Sequence, residues 1–295
     1  MAYLKIENVA IKGISACVPS NIEENIDLPV FEEGEAQRVI NQTGIAKKHV
    51  VTQGITALDL CKVAMEKLLN ELKWEKESID VVMFVSTTFD HIIPPNSCIL
   101  QGMLGLPEDT MCVDLRQGCP GWTIGMTTLS SLLSNGCVKR GILLVGDTPT
   151  LSHSPLDKET RPLFGDAGTA TALEFDETVN PIEFYHGTRG KDYKSIFAES
   201  GGYRNMTDEE ALKYVEYGKN IQRRRIDVVM DGMSVFGFGL SMGPKSVNNL
   251  CEHFEIDKDK IDYFLFHQAN RYMNDKIRKK LKIAEAKVPY SMQNF

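Results

Sequence analysis

The sequence lacks any apolar run long enough to cross a bilayer. Its first residues, Met1-Ala2-Tyr3-Leu4-Lys5-Ile6-Glu7, carry charge where a secretory signal would need an unbroken apolar stretch. A soluble, cytoplasmic protein with no membrane partner is expected. The sequence also lacks paired cysteines. The seven, at 17, 61, 98, 112, 119, 137 and 251, are odd in number and form no C-x-x-C, so neither a disulfide framework nor a zinc site is signalled. Most of them should fill the core. Positive charge is short as well: 33 Lys and Arg face 40 Asp and Glu, a formal net charge of −7, which argues against nucleic acid as a partner. An acidic partner would have to find a local basic patch. What remains is ordinary globular composition over 295 residues, 42% hydrophobic and 25% charged, enough for one large domain or two packed halves.

Hydrophobic patterning predicts a long strand over residues 4–17, a weak helix over 32–43 ending at Gly44, and a helix over 56–72 capped by Thr56. Buried strands are predicted at 79–85, 141–146 and 168–175, with helices at 94–104 and from Pro120 to about Leu133 between them. This alternation implies an α/β sheet with helices on its faces. The segment 75–84 matches 257–266 in charge and apolar pattern, each following a helix and entering a strand, so the second is expected at 263–266. The match suggests two similar halves, 1–175 and 176–295, with turn residues clustered at the boundary. Between the matched segments, a loop is expected at Gly201-Gly202-Tyr203 and a helical region over 207–253, interrupted at Arg223-Arg224-Arg225.

Two residues stand where chemistry is easy to place. In Asp114-Leu115-Arg116-Gln117-Gly118-Cys119-Pro120-Gly121, a short strand runs into a small-residue turn, and Pro120 is expected in the first turn of a helix with Cys119 as its cap. A thiol so placed faces unpaired N–H groups and the positive end of the helix dipole, both of which favour thiolate. His267 is expected at the carboxyl end of a strand, the edge where α/β sheets gather ligand sites, so a Cys-His site is plausible. A competing pattern is Gly239-Leu240-Ser241-Met242-Gly243, which fits the G-x-S-x-G nucleophile elbow. The glycine-broken stretch before it is a poor strand. Gly243-Pro244-Lys245-Ser246 brushes the phosphate-loop pattern, but Pro244 splits the Gly-Lys pair. A serine hydrolase using Ser241 and a non-catalytic acyl-binding protein stay open at this point.

Four motifs together carry a resemblance: Cys119 in its turn, Phe164-Gly165-Asp166-Ala167-Gly168-Thr169, Met230-Asp231-Gly232 with Val235-Phe236, and His267-Gln268-Ala269-Asn270. In order and spacing the chain resembles the β-ketoacyl-acyl carrier protein synthase III family. The resemblance implies a thiolase-like α/β fold, two duplicated halves layered α-β-α-β-α, and a homodimer. It implies that Cys119 takes an acyl group from acyl-CoA or an acyl carrier and condenses it with malonyl-acyl carrier protein, with His267 as a hydrogen-bond donor. Neither a metal nor a permanently bound cofactor is implied; coenzyme A thioester is a substrate.

Transfer to an oxygen or nitrogen acceptor is the variant found among relatives. The family often holds the CoA adenine with a Trp and an Arg near Arg-Thr-Gly-Ile, whereas the matching stretch here is Val39-Ile40-Asn41-Gln42-Thr43-Gly44-Ile45. Ile93 matches the residue that floors the partner's acyl pocket. Lys279 and Lys280 match carrier-binding positions, within a basic patch that includes Arg271, Lys276 and Arg278. A second donor, the Asn of a Gly-Asn-Thr-Ser motif, would follow Phe295. Asn294 precedes that motif, and the second half is expected to be incomplete, as in a C-terminally truncated member.

Overall fold

The computed structural model describes residues 2–293. The expected first strand is two strands. β1 (Ala2–Ile6) pairs antiparallel with residues 182–186, and the chain turns at Asn8, whose φ of 63° is tolerated by a short polar side chain, before β2 (Val9–Cys17). α1 (Glu35–Thr43) ends at Gly44 with φ 81°, and α2 (Ala57–Leu72) opens on a reciprocal cap in which the Asp59 carboxylate accepts the Thr56 N–H at 2.9 Å. The chain then alternates through β3 (Val81–Ser86), α3 (Asn96–Leu104), β4 (Met111–Arg116), α4 (Gly121–Leu133), β5 (Arg140–Asp147) and β6 (Ala167–Phe175). β7 (Ile182–His186), α5 (Gly232–His253) and α6 (Arg271–Leu281) follow.

Five strands form one mixed sheet in the order β2-β6-β5-β3-β4. β3 is parallel to both neighbours, while β6 runs antiparallel to β5 and β2. Every residue of β3 is buried, and its side chains alternate between two cores as the strand period requires. Val82 and Phe84 pack with Leu58, Met65 and Leu68 of α2, whereas Val81, Met83 and Val85 pack with Met126, Leu129 and Leu133 of α4. β1 and β7 add Ile6 and Phe184 to the second core.

The second half departs from expectation in three ways. Residues 207–231 hold only one 3-10 turn, Glu210–Leu212, and a short hairpin, Val215–Gly218 with Ile221–Arg223, and the α-helix begins only at Gly232. Residues 261–266 are not a strand. They have no ladder partner among the described residues, and Leu265 is 78% exposed, although Phe264 is buried against Ile277 and Leu281 of α6. Among the described residues, no second five-stranded sheet forms. The core role expected of cysteine fits Cys61 and Cys251, which are buried, but Cys98, Cys119 and Cys137 are exposed. Asn294 lies outside the described residues. Among the described residues, no helix is long and apolar enough to cross a membrane.

Candidate active site

Cys119 sits in the turn between β4 and α4. The helix starts one residue later than expected, with Pro120 at the cap and Gly121 as the first helical residue, and the Gly121 N–H donates to the Gly118 carbonyl at 2.7 Å. The small residues of this helix have a packing reason. A Cβ on Gly125 would come within 2.5 Å of Leu143 Cδ1, and one on Gly121 within 3.0 Å of Val85 Cγ1. Only glycine lets α4 lie this close to β3 and β5, which fixes where the cysteine turn stands.

The strand ends around this turn are held by carboxylates. Asp114, in β4, accepts the Asn96 and Ser97 N–H groups at 2.7 and 2.9 Å and so caps α3. Asp147, at the end of β5, accepts from Ser86, Thr87 and Thr88 through their hydroxyls and from the Thr87 and Thr88 N–H groups, all at 3.1 Å or less. Cys119 is open to solvent on its outer side, yet enough protein surrounds the thiol that burial pushes its pKa above the ordinary thiol value. Its own backbone N–H pulls the pKa down, and the Asp147 carboxylate adds to the rise. The thiolate-favouring field expected from the helix start is therefore outweighed.

A cavity of about 1190 Å³ lies between α1, the loop before β6, the start of α5 and the start of α6. Three of the four motifs meet on its wall: Phe164 to Ala167, Met230 to Gly232 with Val235 and Phe236, and His267 to Asn270. Phe164 is held by the buried His153, whose ring stacks on it at 4.3 Å and whose Nδ1 lies 2.7 Å from the Pro149 carbonyl. Asp166 accepts from the Val51 N–H at 2.7 Å, and from the N–H and hydroxyl of Thr150 at 3.1 and 2.5 Å. At Gly44 a Cβ would lie 3.1 Å from Arg271 Cβ, so the end of α1 and the start of α6 approach closely beside the cavity.

His267 lines this cavity, not at the end of a strand but in the irregular segment before α6. Its carbonyl accepts from Asn274 at 2.9 Å, while the Asn270 side chain caps α6 by accepting the Met273 N–H at 3.0 Å. His267 is open to solvent on one side, but the protein packed around its ring lowers its pKa, which favours the neutral imidazole. Cys119 is not among the lining residues. Ile93 is 75% exposed, in the loop before α3. Arg271, Lys279 and Lys280 lie on α6, where Lys279 pairs with Asp275 at 2.6 Å and Arg271 lies over the Tyr290 ring. Ser241 is an exposed residue inside the 22-residue α5, with no strand-to-helix turn, so it is no nucleophile elbow. Gly243 to Ser246 lie in the same helix.

Sequence reasoning missed the charged wall of the cavity. Lys48 is buried and pairs with Glu23, which also holds Arg161, while Lys158 pairs with Glu35 at 2.9 Å. These partners stand 25 to 138 residues apart and share no local pattern. Phe164, Met230 and Phe236 had a signal, since the motifs that contain them were already singled out.

Residues 113–190 match the family profile described as 3-oxoacyl-[acyl-carrier-protein] synthase III, and residues 251–295 match its C-terminal profile. A putative 3-oxoacyl-[acyl-carrier-protein] synthase 3 of Campylobacter jejuni is 28% identical over 97% of this chain and 81% of its own length. A β-ketoacyl-[acyl-carrier-protein] synthase III of Fusobacterium nucleatum is 25% identical over 98% of this chain and 86% of its own length. The crystal structure of a 3-oxoacyl-(acyl-carrier protein) synthase from Burkholderia xenovorans LB400 superposes with a TM-score of 0.92 at 32% identity, covering 100% of this chain and 83% of that one. The α/β fold is thus thiolase-like, and the chain belongs to the 3-oxoacyl-[acyl-carrier-protein] synthase III family.

Proposed function

We propose that this acyltransferase uses Cys119 to take an acyl group from a thioester donor and then joins it to a malonyl group on acyl carrier protein, with loss of carbon dioxide. The observation that carries this reading is the convergence of three motifs, separated by up to about a hundred residues, on one cavity that His267 enters. In the first step the Cys119 sulfur attacks the thioester carbonyl, a new C–S bond forms, and the donor thiol leaves with the proton that Cys119 gives up. In the second, a neutral His267 donates a hydrogen bond to the thioester oxygen that gains enolate charge as carbon dioxide departs. The reading invokes no permanently bound cofactor. A serine hydrolase has no support from a Ser241 inside a helix.

Three further assignments complete the proposal. The chain divides into halves at 1–175 and 176–295, tied together by the β1–β7 ladder. Two copies associate through β4, whose outer edge has no ladder partner among the described residues and whose neighbourhood exposes Met111, Trp122, Ile92 and Ile93. Ile93 then borders the partner's acyl pocket, in a dimer that works in the cytoplasm. An acidic carrier protein docks on α6 at Arg271, Lys279 and Lys280.

Intact-mass measurement after incubation with short acyl thioesters tests the first step. A mass increase equal to the acyl group, absent in Cys119→Ala, is expected. A modified Cys119→Ala protein would assign the nucleophile elsewhere.

A further inference from the structure

Three parallel strands of the sheet end side by side at the edge where Cys119 stands. β3 lies between the other two, with Ser86 opposite Arg116 of β4 and Val85 opposite Val145 of β5. The chain leaving β3 therefore runs between the cysteine turn on one flank and Asp147 on the other. A single atom fastens it. Asp147 Oδ1 accepts from the hydroxyls of Ser86, Thr87 and Thr88 at 2.9, 2.8 and 3.0 Å, and from the Thr87 and Thr88 N–H groups at 2.7 and 3.1 Å. Asp147 Oδ2 accepts no hydrogen bond among the described residues. Thr87 Cγ2 in turn stands 3.6 Å from where a Cβ on Gly118 would lie, so the fastened segment backs the residue before Cys119.

The same carboxylate is set apart by its charge. α4 carries no titratable side chain from Gly121 to Leu133, Asp114 is committed to the start of α3, and Arg116 lies over the Phe89 ring at 5.1 Å. Residues 86–88 and Gln117, Gly118 and Pro120 are neutral. Asp147 is the side chain whose charge acts on the Cys119 thiol, and it acts to keep the proton in place. Alkylating agents and oxidants attack the thiolate, so a thiol that keeps its proton at rest is sheltered from them, at a cost in acylation rate at neutral pH. Resting on the thioester reading above, we propose that Asp147 is a positioning residue for acyl transfer at Cys119, through a carboxylate that fastens residues 86–88 beside the cysteine turn and sets the charge felt by its sulfur.

The transfer keeps its balance: the Cys119 C–S bond forms, the donor C–S bond breaks, and the donor thiol takes the proton that Cys119 gives up. Two substitutions separate the two parts of the role. Asp147→Asn removes the charge but keeps an Oδ1 acceptor for the five donors, and its new amide stands where no donor is displaced. Asp147→Ala removes charge and acceptor together. Each chain is treated with iodoacetamide, an uncharged probe of the thiolate, and with acetyl-CoA, at neutral and at alkaline pH, and the Cys119 peptide is followed by mass.

Asp147→Asn should be alkylated about threefold faster than the parent at neutral pH, with the two rates meeting at alkaline pH where both thiols are ionised. Its acetyl transfer at alkaline pH should equal the parent's, which also reports a folded variant. Asp147→Ala should be alkylated faster at neutral pH as well, yet transfer the acetyl group about tenfold more slowly at alkaline pH, because the segment behind the turn is no longer held. Should Asp147→Ala fail to fold, Ser86→Ala serves in its place: it removes one donor and leaves the charge, so transfer should slow while the alkylation profile stays where it was. An alkylation profile of Asp147→Asn that coincides with the parent's would overturn the proposal, as would parent-like alkaline transfer in both Asp147→Ala and Ser86→Ala. Iodoacetamide reads the sulfur without any thioester, so a parent chain that is alkylated but takes no acetyl group would overturn the thioester reading instead.

Discussion

Residues 76–86 and 258–266 begin alike and end differently. Each follows a long helix and a short 3-10 turn, Lys76–Ser78 in one case and Lys258–Lys260 in the other, and each then presents Ile-Asp followed by four apolar residues. The first becomes β3, paired on both sides and buried at every residue. The second has no ladder among the described residues, bonding through the Phe264 N–H to the Lys287 carbonyl at 2.8 Å and exposing Tyr263 and Leu265. The apolar pattern fits a half-buried pleated surface, but flanking strands turn that preference into a strand. The same contrast runs through the candidate site, where Cys119 stands in the turn that leaves the sheet at β4 and His267 on the segment before α6.

The largest expected effects test that division of labour. Cys119→Ala should abolish acyl-thioester formation altogether, read by intact mass. His267→Ala should leave acylation in place and slow decarboxylation of a malonyl thioester about a hundredfold to a thousandfold relative to the parent chain. Loss of acylation in His267→Ala would break the comparison, since the helical half would then be needed for the first step. The matched segments themselves can be weighed by denaturant unfolding. Phe84→Ala, in β3, should cost about 3–5 kcal/mol, whereas Leu265→Ala should stay within about 0.5 kcal/mol. Equal losses would mean that the second segment is as embedded as the first.

A smaller effect concerns pH. The raised Cys119 pKa keeps the thiol protonated at neutral pH, so acylation should speed up as pH rises and go on rising past the range where an ordinary exposed thiol levels off. A rate that is flat above neutral pH would mean a thiolate already formed, as the helix-start argument alone suggests. The caps come last. Thr56→Ala at α2 and Asn270→Ala at α6 should each cost about 1 kcal/mol, and only the latter should disturb the placement of His267.

The first half was largely legible because its signals are local and agree with its surroundings. Thr56 and Asp59 mark the start of α2, Gly44 marks the end of α1, and runs of apolar residues mark strands buried on both faces. The second half was legible in its motifs and in the part of its expected helix, 232–253, that forms α5. Its strand at 263–266 failed for want of neighbours, and the helical reading of 207–231 failed because Arg223 and Arg224 are held by Asp157 and Asp227 in a hairpin-containing loop. Cys119 and His267 could be picked out from chemistry, but the thiol's environment could not, since Asp147 comes from a strand 28 residues further on and acts through space. The glycines of α4 read as weak helix formers until Leu143 and Val85 show what they make room for.

β1 has a consequence for anyone who cuts or tags this chain. It is a clasp rather than a tail: its backbone pairs with 182–186, Ile6 shares a core with Phe184, and Tyr3 stacks on His253 at the end of α5 at 3.8 Å. Proteolysis at the Asn8 turn would leave the five-stranded sheet starting at Val9, with its edge intact. The same cut would release the hold of residues 2–6 on β7 and α5, loosening the half that carries His267 while the half that carries Cys119 kept its sheet.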